Sequence, residues 1–146
     1  MSNETKYVYA SQVTLEASGA SAATTVFVVA NDTSLAVANH YDYPMADFVL
    51  TCSFGAAVAA NKTINLYRQD MDIDGEADAP APATTYPQVY VGSFALPSGQ
   101  SASATYPLVN VPITKVCQFT IENATAQSLA VGWVLKATPK TYGPVA

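Results

Sequence analysis

The sequence predicts an all-β domain: an antiparallel β-sandwich or jelly roll of about eight strands, with little or no helix. Three observations carry this. Apolar and polar residues alternate along short stretches, which is the period of a half-buried strand. Almost no stretch shows a 3.6-residue period. Turn-forming clusters separate the alternating runs at sandwich spacing.

In chain order, Tyr7 to Ala10 and Val13 to Glu16 read as strands, ended by the breaker Ser18-Gly19-Ala20-Ser21. Thr24 to Ala30 is a continuous apolar and β-branched run, as for a central strand covered on both faces. Asn31-Asp32-Thr33 and Asp42-Tyr43-Pro44 read as loops. From Asp47 to Phe54, the residues Phe48, Leu50, Cys52 and Phe54 share one face. Gly55 to Ala60 is Ala-rich and long enough only for a helical turn. From Lys62 to Arg68, Ile64 and Leu66 point inward, and Thr63, Asn65 and Tyr67 outward. After the loop Gly75 to Thr85 come strands at Pro87 to Phe94 and, past Pro97-Ser98-Gly99, at Ser101 to Leu108. From Val116 to Glu122, Cys117, Phe119 and Ile121 face one way, and Gln118, Thr120 and Glu122 the other. After the turn Asn123-Ala124-Thr125, the residues Leu129, Val131, Trp133 and Leu135 form an inward face. Trp133 is in phase with that face, so it reads as core rather than as a stacking platform.

There is no internal repeat and no second domain. Residues 1–6 form a polar N-terminal arm, 7–137 the sandwich and 138–146 a C-terminal tail. The tail contains Pro139, Gly143 and Pro144 and should not continue a central strand. In an assembly, both ends are candidate arms that lie across a neighbour.

Half of the 146 residues are apolar and 12% are charged, which argues against disorder. A charge-poor surface costs little to desolvate, as an assembly interface requires. The net charge is −5, and Lys6, Lys62, Arg68, Lys115, Lys136 and Lys140 are scattered without a basic stripe. Binding to nucleic acid or to an anionic membrane is therefore not expected. No run is long enough to span a membrane, and the polar start Met1 to Lys6 lacks the apolar core of a signal peptide. The expectation is a protein made in a cytoplasm and kept there until it assembles. The triplets at Asn31, Asn61 and Asn123 match the glycosylation pattern but read as turns in that setting. Cys52 and Cys117 read as buried reduced thiols, with a cross-sandwich disulfide as the alternative.

The most pointed motif is Asp70-Met71-Asp72-Ile73-Asp74-Gly75-Glu76-Ala77-Asp78. Alternate carboxylates followed by Gly match the opening of a calcium loop. The match fails at Ala81, where a bidentate Glu is needed, and Pro80 and Pro82 disfavour an exit helix. Asp70, Asp72, Asp74 and Asp78 remain a weak calcium candidate beside the simpler reading of a solvated acidic loop. This segment holds five of the eleven acids, and the other six balance the six bases. The whole net charge therefore lies here, where it offers a contact for a basic partner surface. Catalysis has no visible seat, and no cofactor is expected. His40 is the only histidine, in a turn-like segment, and neither cysteine has basic neighbours.

The chain has nine tyrosines, mostly near turns or strand ends. Tyrosine covers area and keeps a hydroxyl for bonding, so it is enriched in interfaces. Tyr7, Tyr9, Tyr41, Tyr43, Tyr86 and Tyr142 are the interface candidates. Exposed aromatics also serve sugar-binding modules, and some of these rings would simply cap the sandwich.

The segments Asn39-His40-Tyr41-Asp42-Tyr43-Pro44, Asp72-Ile73-Asp74-Gly75, Tyr90-Val91-Gly92-Ser93-Phe94 and Gly132 to Tyr142, in that order, resemble small virion structural proteins of tailed bacteriophages. Capsid cement (decoration) proteins are the most similar in role. The resemblance spans roughly residues 7 to 142 and implies a non-enzymatic jelly-roll component of the particle. It implies binding to the major capsid protein at capsomer junctions, self-association as a homotrimer, and a place on the capsid surface after synthesis in the host bacterial cytoplasm. The alternatives are another virion part, such as a head fibre base, neck or tail component, and a carbohydrate-binding β-sandwich module.

Overall fold

The structure is a computed structural model that describes residues 5–30, 35–36, 43–70, 89–114 and 116–144. Among the described residues there are ten strands and no helix: β1 Thr5–Tyr9, β2 Val13–Gly19, β3 Phe27–Val29, β4 Leu35–Ala36, β5 Met45–Cys52, β6 Lys62–Asp70, β7 Tyr90–Leu96, β8 Ala104–Pro112, β9 Val116–Asn123 and β10 Trp133–Pro144.

β1 and β2 follow one another along the same edge of β10, and β3 and β4 do so along β9. The ten strands thus fill eight positions in two sheets. One sheet runs β1/β2–β10–β5–β8 and the other β3/β4–β9–β6–β7, antiparallel throughout. In position order this is first, eighth, third, sixth against second, seventh, fourth, fifth. That double Greek key is a jelly roll.

The two inner faces meet in one core. Phe48, Leu50 and Cys52 of β5 oppose Ile64 and Leu66 of β6 and Cys117, Phe119 and Ile121 of β9. The rings of Phe48 and Phe119 meet edge to face at 4.6 Å between centroids, which ties the sheets together. These are the alternating residues that the sequence assigns to inward faces. Trp133 is also in the core, and its indole N–H donates to the Ala20 carbonyl at 2.8 Å.

The two ends of the sandwich differ. At one end the turns are stitched together by backbone hydrogen bonds. Ala22 and Leu129 exchange two, Phe54 N–H donates to Ser101, Gly55 to Ser128, Val58 to Gln100 and Gly132 to Gly19. Asn123 is the hub of this end. Its amide donates to the carbonyls of Ala22 and Gln127, and its oxygen accepts from the backbone and hydroxyl of Thr125. It is fully buried, so no glycan can reach it. The other end carries the start of β1, the end of β10 and the departure points of the β4–β5 and β6–β7 connections.

Several expectations are corrected. Residues 138–144 are not a tail. β10 continues through them, paired with β5 as far as Lys140 and with β1 from Lys140 to Pro144. Pro139 is tolerated because of where it sits. Its carbonyl accepts from Ala10 N–H at 2.8 Å, so its missing donor faces the same side, at the junction where β1 gives way to β2. Lys6 belongs to β1 rather than to an arm, while residues 1–4 lie outside the described residues. Thr24 to Ala30 is not a central strand: β3 is three residues long and, among the described residues, pairs with β9 alone, at an edge. Val131 does not join the inward face. It is 72% exposed, because a turn at residues 131–132 breaks the alternation before β10 begins. Gly55 to Ala60 forms no helical turn. Gly19 belongs to β2 rather than to a breaker. Tyr67 is on the outward face but buried, covered by Tyr90 of the adjacent β7 and by Phe27 of β3, one strand beyond β9.

Candidate functional site

The candidate site is a tyrosine cluster on the outer face of the β1/β2–β10–β5–β8 sheet, at the end that carries the long connections. Strand pleating builds it. Tyr7 and Tyr9 are two apart on β1, and Lys140 and Tyr142 are two apart on β10. The register places Tyr7 opposite Tyr142 and Tyr9 opposite Lys140. Four side chains from the two extremes of the fold therefore share one face.

The Tyr7 and Tyr142 rings lie 4.7 Å apart, and their hydroxyls share a hydrogen bond of 2.9 Å. Tyr9 stands 6.2 Å from Tyr7. All three rings are solvent-exposed, at 40% for Tyr7, 54% for Tyr9 and 58% for Tyr142. Lys140 lies beneath them, only 3% exposed, with its ammonium 4.5 Å from the Tyr7 centroid and 5.9 Å from that of Tyr9. Asp47 of β5 neutralises that ammonium at 2.6 Å and also accepts the Asn110 N–H. Burial works to lower the Lys140 pKa, but the hydrogen bond and charge of Asp47, with Tyr9 and Tyr7, carry it above the ordinary lysine value. The hydrogen bond from Tyr7 raises the Tyr142 pKa. The result is a platform of three rings with polar rims on two paired strands, over a compensated charge. Such a platform can bury ring area against another surface and still offer hydroxyls to it.

The other interface candidates do not join it. Tyr43 is half-buried and packs against the core, so it is not a free contact. Tyr41 and Tyr86 lie outside the described residues, as does His40. Lys140 and Asp47 are members that the sequence reading missed. The signal was the alternation of Thr138, Lys140 and Tyr142, concealed by the assignment of that stretch to a tail.

The weak calcium candidate fares differently. The Asp70 carboxylate is held by Arg68 Nε at 2.8 Å and by the Thr114 hydroxyl at 2.6 Å, and Arg68 also donates to the Pro112 carbonyl at 2.9 Å. These bonds tie the end of β6 to the β8–β9 connection, and both short ones fall on Asp70 Oδ1. Asp72, Asp74 and Asp78 lie outside the described residues. Among the described residues, no group of three or more His, Cys, Asp or Glu is placed to hold a metal ion.

A second polar cluster lies on the outer face of the opposite sheet. Glu122 accepts from the Tyr67 hydroxyl at 2.8 Å and from the Asn65 amide at 2.9 Å. The Asn65 oxygen accepts from Ser93 and Thr63, and Ser93 bonds Tyr90. Burial, and the Glu122 carboxylate that accepts its proton, push Tyr67 up to about 12. Within this cluster the side chains hydrogen-bond to one another, which makes it a brace across β9, β6 and β7. Cys52 and Cys117 are free and buried, and burial pushes Cys52 up to about 12 and raises Cys117. Thiols held in the protonated form are poor nucleophiles.

Compared with known proteins, the chain matches no family model, and no curated protein or solved structure matches it.

Proposed function

We propose that this chain is a structural protein of a bacteriophage virion, a capsid cement protein that binds the major capsid protein at capsomer junctions and stabilises the head. The observation that carries the reading is the exposed cluster of Tyr7, Tyr9 and Tyr142 over the buried Lys140 and its partner Asp47. Interfaces concentrate their energy in aromatic anchors with few uncompensated charges. The low charge content of the chain and the resemblance of its segments to virion proteins point the same way. Many copies on a symmetric shell turn modest contacts into strong attachment, and a homotrimer suits a local three-fold position. This role needs no catalysis and no cofactor.

The test is co-sedimentation of the purified chain with emptied, expanded capsids. The parent protein is expected in the pellet. The variant Tyr7→Ser with Tyr142→Ser is expected in the supernatant while it still unfolds cooperatively, because neither ring belongs to the core. A parent protein that stays in the supernatant, with immunogold labelling of the neck, tail or fibre base, would overturn the cement role. The same exposed rings favour one rival, a carbohydrate-binding module. Binding to a glycan array that the double variant loses would replace the capsid reading with that one.

A further inference from the structure

We infer that β1 is an exchangeable strand, and that in an assembly its seat on β10 is filled by β1 from a second copy of this chain. Three independent features of the fold lead there.

The first is that β1 is not part of the core. The buried apolar residues begin at Leu15 in β2, and none belongs to Thr5–Tyr9. Tyr7 and Tyr9 point outward, Val8 is half-buried, and among the described residues β1 pairs with β10 alone. Beyond Lys140, among the described residues, β10 pairs with β1 alone, so the two form a two-stranded ribbon there. Such a ribbon is marginal by itself. Removing β1 takes no buried apolar residue out of the core.

The second is a built hinge. β1 and β2 both pair with β10, but their registers differ by one residue across Ala10 to Gln12. Opposite this step sits Pro139, whose carbonyl takes one ladder bond from Ala10 N–H but which has no N–H to return a second. Ser11 and Gln12 are exposed. The edge strand is therefore short of a ladder bond where β1 would leave β2. Short linkers at such a break favour exchange, because the exchanged form remakes every contact of the closed form.

The third is that the seat is specific for β1. A Cβ on Gly143 would come within 2.7 Å of Val8 Cγ2, so the glycine makes the hollow that Val8 fills. Tyr142 receives Tyr7, and Lys140 lies under both Tyr7 and Tyr9. A generic edge would accept any strand. This one is matched to Tyr7-Val8-Tyr9, and a second copy supplies that sequence.

The test uses full-length chains and no capsid, so its failure is separable from failure of the cement reading. One copy carries Tyr7→Cys and one tag, and another carries Tyr142→Cys and a different tag. The two are mixed at the highest soluble concentration, unfolded and refolded together, and then oxidised. These positions face each other directly across the β1–β10 ladder, within reach of a disulfide when β1 is seated. The expected result is a mixed-tag dimer on a non-reducing gel, removed by reductant. A control chain carrying both substitutions must form its disulfide, which establishes that the geometry allows the bond. Absence of the mixed-tag dimer while the control closes as a monomer would overturn the inference. So would equal amounts of a Tyr7→Cys/Val131→Cys mixed dimer, which would mean random collision.

Discussion

At the scale of single residues, buried titratable groups set how this protein responds to alkali. Cys52 is buried in the core and its thiol is pushed up to about 12. A group whose folded pKa exceeds its unfolded value contributes stability that is complete below the unfolded pKa. That contribution is lost as pH rises toward the folded one. One pH unit above the ordinary thiol value, the loss is about 1.4 kcal/mol. Lys140, also raised, acts in the same direction at higher pH. Thermal unfolding followed from pH 7 to pH 10 should therefore show a falling melting temperature that is flatter in Cys52→Ala, although that variant starts lower. An identical slope in the two proteins would remove Cys52 from this account. The buried position of Cys52 was legible in the alternation Phe48-Leu50-Cys52-Phe54, because period two is a local property. The neutralisation of Lys140 was not, since its partner lies on β5, roughly 90 residues away along the chain.

At the scale of elements, β2 and β10 are locked by one close approach. A Cβ on Gly19 would fall 1.9 Å from Trp133 Cε2, inside the indole itself. Trp133 is fully buried and cannot yield without vacating the core. Gly19→Ala should therefore destabilise the fold by about 3 kcal/mol, the upper range for overpacking. The measurement is denaturant unfolding followed by the fluorescence of Trp133. A red-shifted native emission is expected, and a variant as stable as the parent with unchanged emission would refute the contact. The sequence reading took Gly19 as a breaker. Glycine has the same identity in a turn and beneath a tryptophan, and only the packing of β10 over β2 distinguishes them. Pro139 was misjudged for a related reason. A proline ends a central strand unless its missing donor faces a gap, and the gap here exists only because β1 and β2 meet opposite it.

At the scale of the whole molecule, the jelly roll gathers the features that suit assembly at one end. The ends of β1 and β10, the tyrosine cluster, and the Asp70 departure point of the acidic segment lie there, while the opposite end is closed by its own hydrogen bonds. Two kinds of contact are available, and salt separates them. The tyrosine platform carries a compensated charge, whereas the acidic segment holds the whole net charge of −5. Raising salt shortens the screening length from about 10 Å at 0.1 M to about 3 Å at 1 M. If the proposed cement role holds, attachment through the tyrosines should survive that change. Attachment lost progressively with salt in the co-sedimentation assay would assign the contact to Asp70 to Asp78 instead.

The sequence by itself determined the class of fold and most of the inner faces. Alternation is imposed by the strand pleat, and turns by local backbone preference, so both are written in neighbouring residues. It also named Tyr7, Tyr9 and Tyr142 one by one, from the chemistry of tyrosine. Only the tertiary structure decided that these three stand together, that Tyr43 packs inward, and that Asp70 is held by Arg68. Each of those outcomes depends on register between strands far apart in the chain. A shift of one residue in that register would turn every side chain to the opposite face. The continuation of β10 past Pro139, on which both the site and the exchangeable strand rest, belongs to the same category.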